Sequence, residues 1–111
     1  MMCLFCEIVA KNIPSKIIQE DKDFLCFEDI NQVAKIHLLI IPKQHIESFE
    51  LIPSDVMANM TNFIHKLTKK LFINKTGYRL VTNIGDDGGQ EVAHIHFHLL
   101  SGEKLKQIYK R

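Results

Sequence analysis

The sequence predicts an α+β fold in which a mostly antiparallel sheet packs against one long helix. Three observations carry this expectation. Met57, Met60, Ile64, Leu67 and Leu71 recur at helical spacing. Short apolar or alternating segments lie on both sides of that stripe, too close together for repeated βαβ crossovers. At 111 residues the chain makes one domain with a modest core.

The elements follow in order. Residues 4–11 form a short helix or turn that Pro14 stops. Residues 16–20 and 24–28 are strands joined by the charged turn 21–23, a hairpin. Residues 36–41 are a continuous apolar run closed by Pro42, a buried strand. The run Pro53-Ser54-Asp55 starts the long helix. Ser54 is the expected acceptor for an orphan backbone N–H, and Asp55 suits the positive end of the dipole. The helix runs to about residue 72, with its Met and Leu stripe in the core and His65 beside it at the surface. Residues 74–77 turn out, 78–83 form a strand, 85–89 a loop and 91–100 a last strand.

Composition narrows the function. Fourteen basic and thirteen acidic residues leave a net charge of +1, with no basic stripe beyond the tail 103–111. That balance excludes a dedicated nucleic-acid or membrane-surface binder. Glu7 interrupts the place where a signal peptide needs an apolar run. No apolar stretch, residues 38–41 included, comes near the ~18 residues a membrane span needs. Three cysteines, two of them paired as Cys3-x-x-Cys6, are not a secreted disulfide framework, so the expected compartment is the cytoplasm.

Histidine is the over-used chemical type, and His94-Ile95-His96-Phe97-His98 concentrates it. On a strand, alternate residues share a face roughly 6.5–7 Å apart, so three imidazoles line one side while Ile95, Phe97 and Leu99 enter the core. Two such rings can flank a phosphate. The rival use of alternating histidines is a metal site. The preceding loop, residues 83–90, suits an anion better. Its glycines let backbone N–H groups turn inward, Asn83 and Gln90 add side-chain donors, and Asp86 and Asp87 belong at an exposed tip.

Taken together, these segments resemble the histidine-triad family. The resemblance spans Cys3-Leu4-Phe5-Cys6-Glu7-Ile8-Val9, Ile13-Pro14-Ser15-Lys16, Phe27-Glu28-Asp29-Ile30, the run from His37 through Pro42 to Ile46, Gly77 to Asn83, Gly88-Gly89-Gln90-Glu91-Val92, and the triad itself. The wording is nearest to the histidine-triad nucleotide-binding branch, purine nucleoside phosphoramidate hydrolases. The resemblance implies a five-stranded antiparallel sheet with one long and one short helix, paired into a continuous sheet in a homodimer. It implies His96 as nucleophile, His98 on the phosphate and leaving group, and His37 in a hydrogen-bonded relay. With His94, these make up the expected catalytic set. It places Asp29 on the ribose hydroxyls. Asn83, Gly89, Gln90, Glu91 and Val92 fall around the α-phosphate, and Phe5, Ile8, Phe27, Ile30 and Leu39 around the purine base. The plain alternative for Phe27 and Ile30 is core packing, and for Asp29 a turn.

A neutral imidazole is nucleophilic at neutral pH, and its attack on phosphorus exchanges one P–N bond for another, so no metal is required for catalysis. The related transferase branch carries Gln where this chain has His98, which favours hydrolysis. Glu91 stands where Ser is common in eukaryotic members, and the tail from Ser101 lacks the usual Gly-Gly-Arg start, so leaving-group preference does not carry over. Dinucleoside polyphosphate hydrolysis, a metal-dependent hydrolase on the histidine strand, and a non-catalytic nucleotide binder are the alternatives. Cys3 and Cys6 with His45 and His94 would make a structural Cys₂His₂ zinc site, a pairing some family members carry. A homodimer is also expected physically, from an open sheet edge and a helix stripe that one sheet face cannot bury.

Overall fold

The computed structural model describes residues 3–109. Five strands form one antiparallel sheet in the order β1-β2-β3-β5-β4. They are β1 Ile17–Glu20, β2 Phe24–Glu28, β3 Ile36–Pro42, β4 Arg79–Val81 and β5 Phe97–Ser101. Helix α1, Leu4–Val9, lies over one face, and α2, Ser54–Lys70, over the other. A four-residue turn of helix, α3 Ile73–Thr76, follows α2.

Two-sided cover explains why β2 and β3 read as unbroken apolar runs. Phe24, Cys26, Leu38, Ile40 and Leu99 meet Met60, Phe63, Ile64 and Leu67 of α2 in one cluster. Leu25, Phe27, Leu39 and Ile41, the alternate residues, meet Phe5 and Ile8 of α1 in a second. Burial pushes the Cys26 thiol up to about 12, so this cysteine is a small hydrophobe.

Several boundaries differ from expectation. Pro53, not Ser54, precedes the first turn of α2, and it offers no side-chain cap. Ser54 is already helical. Helix α2 ends at Lys70, and Phe72 adopts φ +61°, the left-handed conformation that terminates a helix. The expected turn 74–77 winds as α3 and closes on Gly77 at φ +106°. Strand β4 is shorter than residues 78–83; just beyond its end Thr82 donates its hydroxyl to the His96 carbonyl at 2.8 Å. The largest correction concerns residues 91–100, of which only Phe97 onward joins the ladder. Residues 91–96 bend, and Ile95 N–H donates instead to the carbonyl of Ile46 at 2.7 Å.

The stripe on α2 is also not left over for a partner. Met60, Ile64 and Leu67 are buried against the protein's own sheet. Met60→Ala should therefore cost about 2–5 kcal/mol in a urea titration. The association state of the folded variant, read by sedimentation, should be unchanged, because this side chain belongs to the protomer's core.

Candidate active site

The ladder register makes the site. Leu39 on β3 faces His98 on β5, and His37 faces Leu100, so His37 and His98 sit diagonally on the α1 side of the sheet. Their ring centres are 5.1 Å apart, with His37 Nε2 2.8 Å from His98 Nδ1. His96, one step before β5, lies next to His98 at 5.3 Å between ring centres. Phe5 meets the His96 ring edge-on at 5.0 Å.

An open cleft of about 1030 Å³ begins at these rings. Phe5, Ile8, Phe27 and Leu39 form an apolar wall, buried in the protein yet facing the cleft. Ile30 lines the same cleft from its rim and is 95% exposed, so the core-packing alternative fails for it. Asp29, Asn83, Gly89, Glu91 and Val92 complete the expected set. Asp29 combines two roles. Its Oδ1 accepts from Asn31 N–H at 2.8 Å, a local turn, while Oδ2 lies 3.3 Å from His37 Nε2.

Two expected residues are elsewhere. Gln90 does not line the cleft. Its amide braces the glycine loop: Oε1 accepts from Gly85 N–H at 3.0 Å, and Nε2 donates to the Glu47 and Val92 carbonyls at 2.6 and 3.0 Å. The loop is tight for a steric reason, since a Cβ at Gly88 would stand 2.3 Å from the Ile84 carbonyl oxygen. Gly89 adopts φ +78°, and Asp86 and Asp87 are exposed.

His94 is the second, and the idea of three rings on one face fails with it. Because the chain bends before β5, strand alternation does not reach His94, whose ring is fully buried on another side. Its Nε2–H donates to the Pro42 carbonyl at 2.8 Å. Its Nδ1 meets Cys3 Sγ at 3.4 Å and Cys6 Sγ at 3.6 Å, and His45 Nδ1 meets Cys6 Sγ at 3.3 Å. All four donor atoms lie within 4.8 Å of one another. Ligand atoms around a tetrahedral zinc stand about 3.3–3.8 Å apart, given bonds of about 2.0–2.3 Å. The donor set and spacing therefore fit a structural zinc, and the Pro42 contact is the kind of outer bond that orients a ligating histidine.

His94 reaches the cleft through its backbone. Its carbonyl accepts from His96 Nδ1–H at 2.9 Å, which puts the lone pair of His96 on Nε2. Burial, with the His96 and His37 rings as lesser causes, lowers the pKa of His98 against the opposing pull of Asp29 and Glu91. Asp29, His37 and His98 also bring three potential ligand atoms together. There, however, Val33 N–H points at His37 Nδ1 from 3.2 Å, which keeps the ring proton on the Nε2 that a metal would need. Nothing in the sequence pointed to the Val33, Thr82 or Pro42 contacts. Each uses a backbone group whose direction depends on the bends around it.

A family model for the HIT domain matches residues 10–105. The chain belongs to the HIT domain family. A HIT-like protein of Helicobacter pylori is 50% identical over 103 residues, spanning 93% of this chain and 99% of its own. Among solved structures, a HIT family hydrolase from Legionella pneumophila is 43% identical with a TM-score of 0.91, covering 96% of this chain and 98% of that one. A histidine triad nucleotide-binding protein from Candida albicans is 31% identical with a TM-score of 0.82, covering 98% and 87%. The five-stranded antiparallel HIT fold expected from the sequence is thus the fold of the chain. No helix among the described residues is long and apolar enough to cross a membrane.

Proposed function

We propose that this HIT protein is a nucleotide-binding hydrolase that cleaves purine nucleoside 5′-phosphoramidates, or related nucleoside monophosphate derivatives, through a nucleotide bound to His96. The observation that carries the reading is the His94 carbonyl on His96 Nδ1–H, which leaves Nε2 as a free nucleophile at the cleft. The apolar wall of Phe5, Ile8, Phe27 and Leu39 suits a flat base, and Asp29 beside it can accept from ribose hydroxyls. Both similar structures named above, one a hydrolase and one nucleotide-binding, support the reading at family level.

The chemistry follows from the geometry. His96 Nε2 donates its electron pair to the α-phosphorus, and the bond to the leaving atom breaks with its electron pair going to that atom, which takes up a proton from water in the open cleft. The phosphorylated ring keeps its Nδ1–H on the His94 carbonyl, which stabilises the positive charge the ring acquires. Water then attacks phosphorus, and the P–N electron pair returns to the imidazole. His98, beside the nucleophile, is placed to hydrogen-bond the phosphoryl oxygens or the leaving atom.

His96→Gly should keep its far-UV dichroism while turnover of an adenosine 5′-phosphoramidate drops by at least about 10⁴-fold, the scale of losing a nucleophile. Rapid quenching should show labelled nucleotide on the parent chain and none on the variant. Robust turnover by the variant overturns the assignment.

We propose zinc for the cluster of Cys3, Cys6, His45 and His94, as a structural ion that pins α1 to the chain before β5. None of these four residues lines the cleft, so no catalytic step needs the ion. Elemental analysis should find roughly one zinc per chain, lost in Cys3→Ser or Cys6→Ser and kept in Cys26→Ser. Brief treatment with chelator should leave kcat unchanged. Activity that disappears with the metal and returns on adding it, without refolding, favours the metallohydrolase instead.

We propose a homodimer through the free edge of β4. The opposite edge is blunted by Lys70, whose Nζ donates to the Ile18 carbonyl at 2.8 Å. Among the described residues no strand lies beyond the β4 edge, which leaves Tyr78 and Leu80 exposed. Leu80→Lys should shift sedimentation at micromolar concentration from dimer to a monomer of 12.9 kDa. A parent chain that sediments as a folded monomer excludes the dimer. Neither nucleic acid nor a membrane is proposed as a partner, and the expected compartment remains the cytoplasm.

A further inference from the structure

We propose that the backbone N–H of Val33, in the exposed turn between β2 and β3, sets the proton register of the cleft and so decides what His98 presents to the substrate. The argument starts at His37, buried in the sheet. Val33 N–H points at its Nδ1 from 3.2 Å, and a ring nitrogen that accepts a hydrogen bond carries no proton. The proton of His37 therefore sits on Nε2. That nitrogen faces two acceptors, His98 Nδ1 at 2.8 Å and Asp29 Oδ2 at 3.3 Å. His98 Nδ1 must then hold a lone pair. Burial lowers the pKa of His98 and so favours the neutral ring; with Nδ1 accepting from His37, the one proton of that ring goes to Nε2, the nitrogen left to the cleft.

Reversing the first bond reverses the chain. With its proton on Nδ1, His37 would turn a lone pair toward the Asp29 carboxylate, and His98 would have to donate from Nδ1. The cleft would then offer a phosphate a lone pair in place of an N–H. The same turn fixes the other partner, because Asn31 N–H holds Asp29 Oδ1 at 2.8 Å. In this register His98 is a fixed hydrogen-bond donor and not a link in a proton shuttle. His37 cannot accept a proton on Nδ1 while an N–H points at it. Val33 is thus a positioning residue, acting through His37. Its side chain, 75% exposed, has no part in this.

The consequence for catalysis rests on the hydrolase reading, whereas the register itself does not. Protein labelled with ¹⁵N-histidine, without ligand, should show His37 and His98 both protonated on Nε2. Val33→Pro removes the N–H and should move both rings to a mixture of tautomers. For a nucleoside phosphoramidate its kcat should fall roughly 10- to 100-fold with KM within about threefold, at or below the low end of what a positioned acid–base group contributes. Val33→Ala keeps the N–H and should keep the parent ring shifts. If the proline variant does not fold, replacing the Val33 amide by an ester removes the N–H alone and is read the same way. In a His37→Gln background, where the side-chain amide donates to His98 without help from Val33, adding Val33→Pro should cost nothing more. A proton on Nδ1 of either ring in the parent protein overturns the proposal, as do ring shifts unchanged by loss of the N–H. The parent register in a protein that turns over no nucleoside derivative supports the proposal and overturns the hydrolase reading.

Discussion

A neutral imidazole has two ring nitrogens and one proton, and inside a protein the surroundings decide which nitrogen holds it. Much of this structure is arranged around that constraint. Four of the six histidines are wholly or partly buried around the cleft and the cysteine cluster, and the contacts of three are with fixed backbone groups. The Pro42 carbonyl takes the proton of His94 onto Nε2, the His94 carbonyl takes that of His96 onto Nδ1, and the Val33 amide denies His37 a proton on Nδ1. Backbone groups are rigid donors and acceptors that do not titrate, so they are better tautomer locks than side chains. Two of the three lie where the chain leaves regular structure, in the irregular stretches 29–35 and 91–96, and the third sits on the last residue of β3, just before the irregular stretch 43–48.

Helix α1 shows the same economy. It has six residues, too few to be stable alone, yet it serves two sites. One side supplies Phe5 and Ile8 to the cleft wall, and its start supplies Cys3 and Cys6 to the cluster. Cys3 also acts as its N-cap, accepting from Cys6 N–H at 3.4 Å. Burial, and after it the neighbouring Cys3, raise the pKa of the Cys6 thiol. Phe5 touches both His94 and His96, and so joins the packing of the cluster to the His96 ring.

The sheet and the long helix were legible in the sequence because they rest on periodicity. The apolar runs in residues 24–28 and 36–41, and the 3.6-residue stripe from Met57 to Leu71, are properties of the chain that packing preserves. The cleft residues were legible through the family resemblance, and the structure brings His37, His96, His98, Asp29, Asn83, Gly89, Glu91 and Val92 to one cleft. What periodicity misplaced was His94, because the rule that puts alternate residues on one face holds only while the strand lasts, and β5 begins at Phe97. Gln90 was misjudged for a related reason. A side-chain amide beside glycines can bind an anion or brace the loop, and the choice depends on carbonyls of Glu47 and Val92 that only the fold brings near. The Ser54 cap failed because Pro53 already supplies the extended residue before the helix.

The contacts that define both sites join distant parts of the chain. His37 and His98 are 61 residues apart in sequence, and Cys3 and His94 are 91 apart. The β1–β2–β3 meander pairs neighbours and can form early, whereas β5 must enter beside β3 after the whole of α2 has been passed. Closing loops of that length delays the contacts they bring. The cleft and the four-residue cluster are therefore complete only in the finished topology: a chain halted with its hairpins formed and β5 undocked brings neither His98 to His37 nor His94 to the two cysteines. Docking of β5 brings His98 to His37 and, through the bends just before it, sets His96 and His94 in their two separate surroundings.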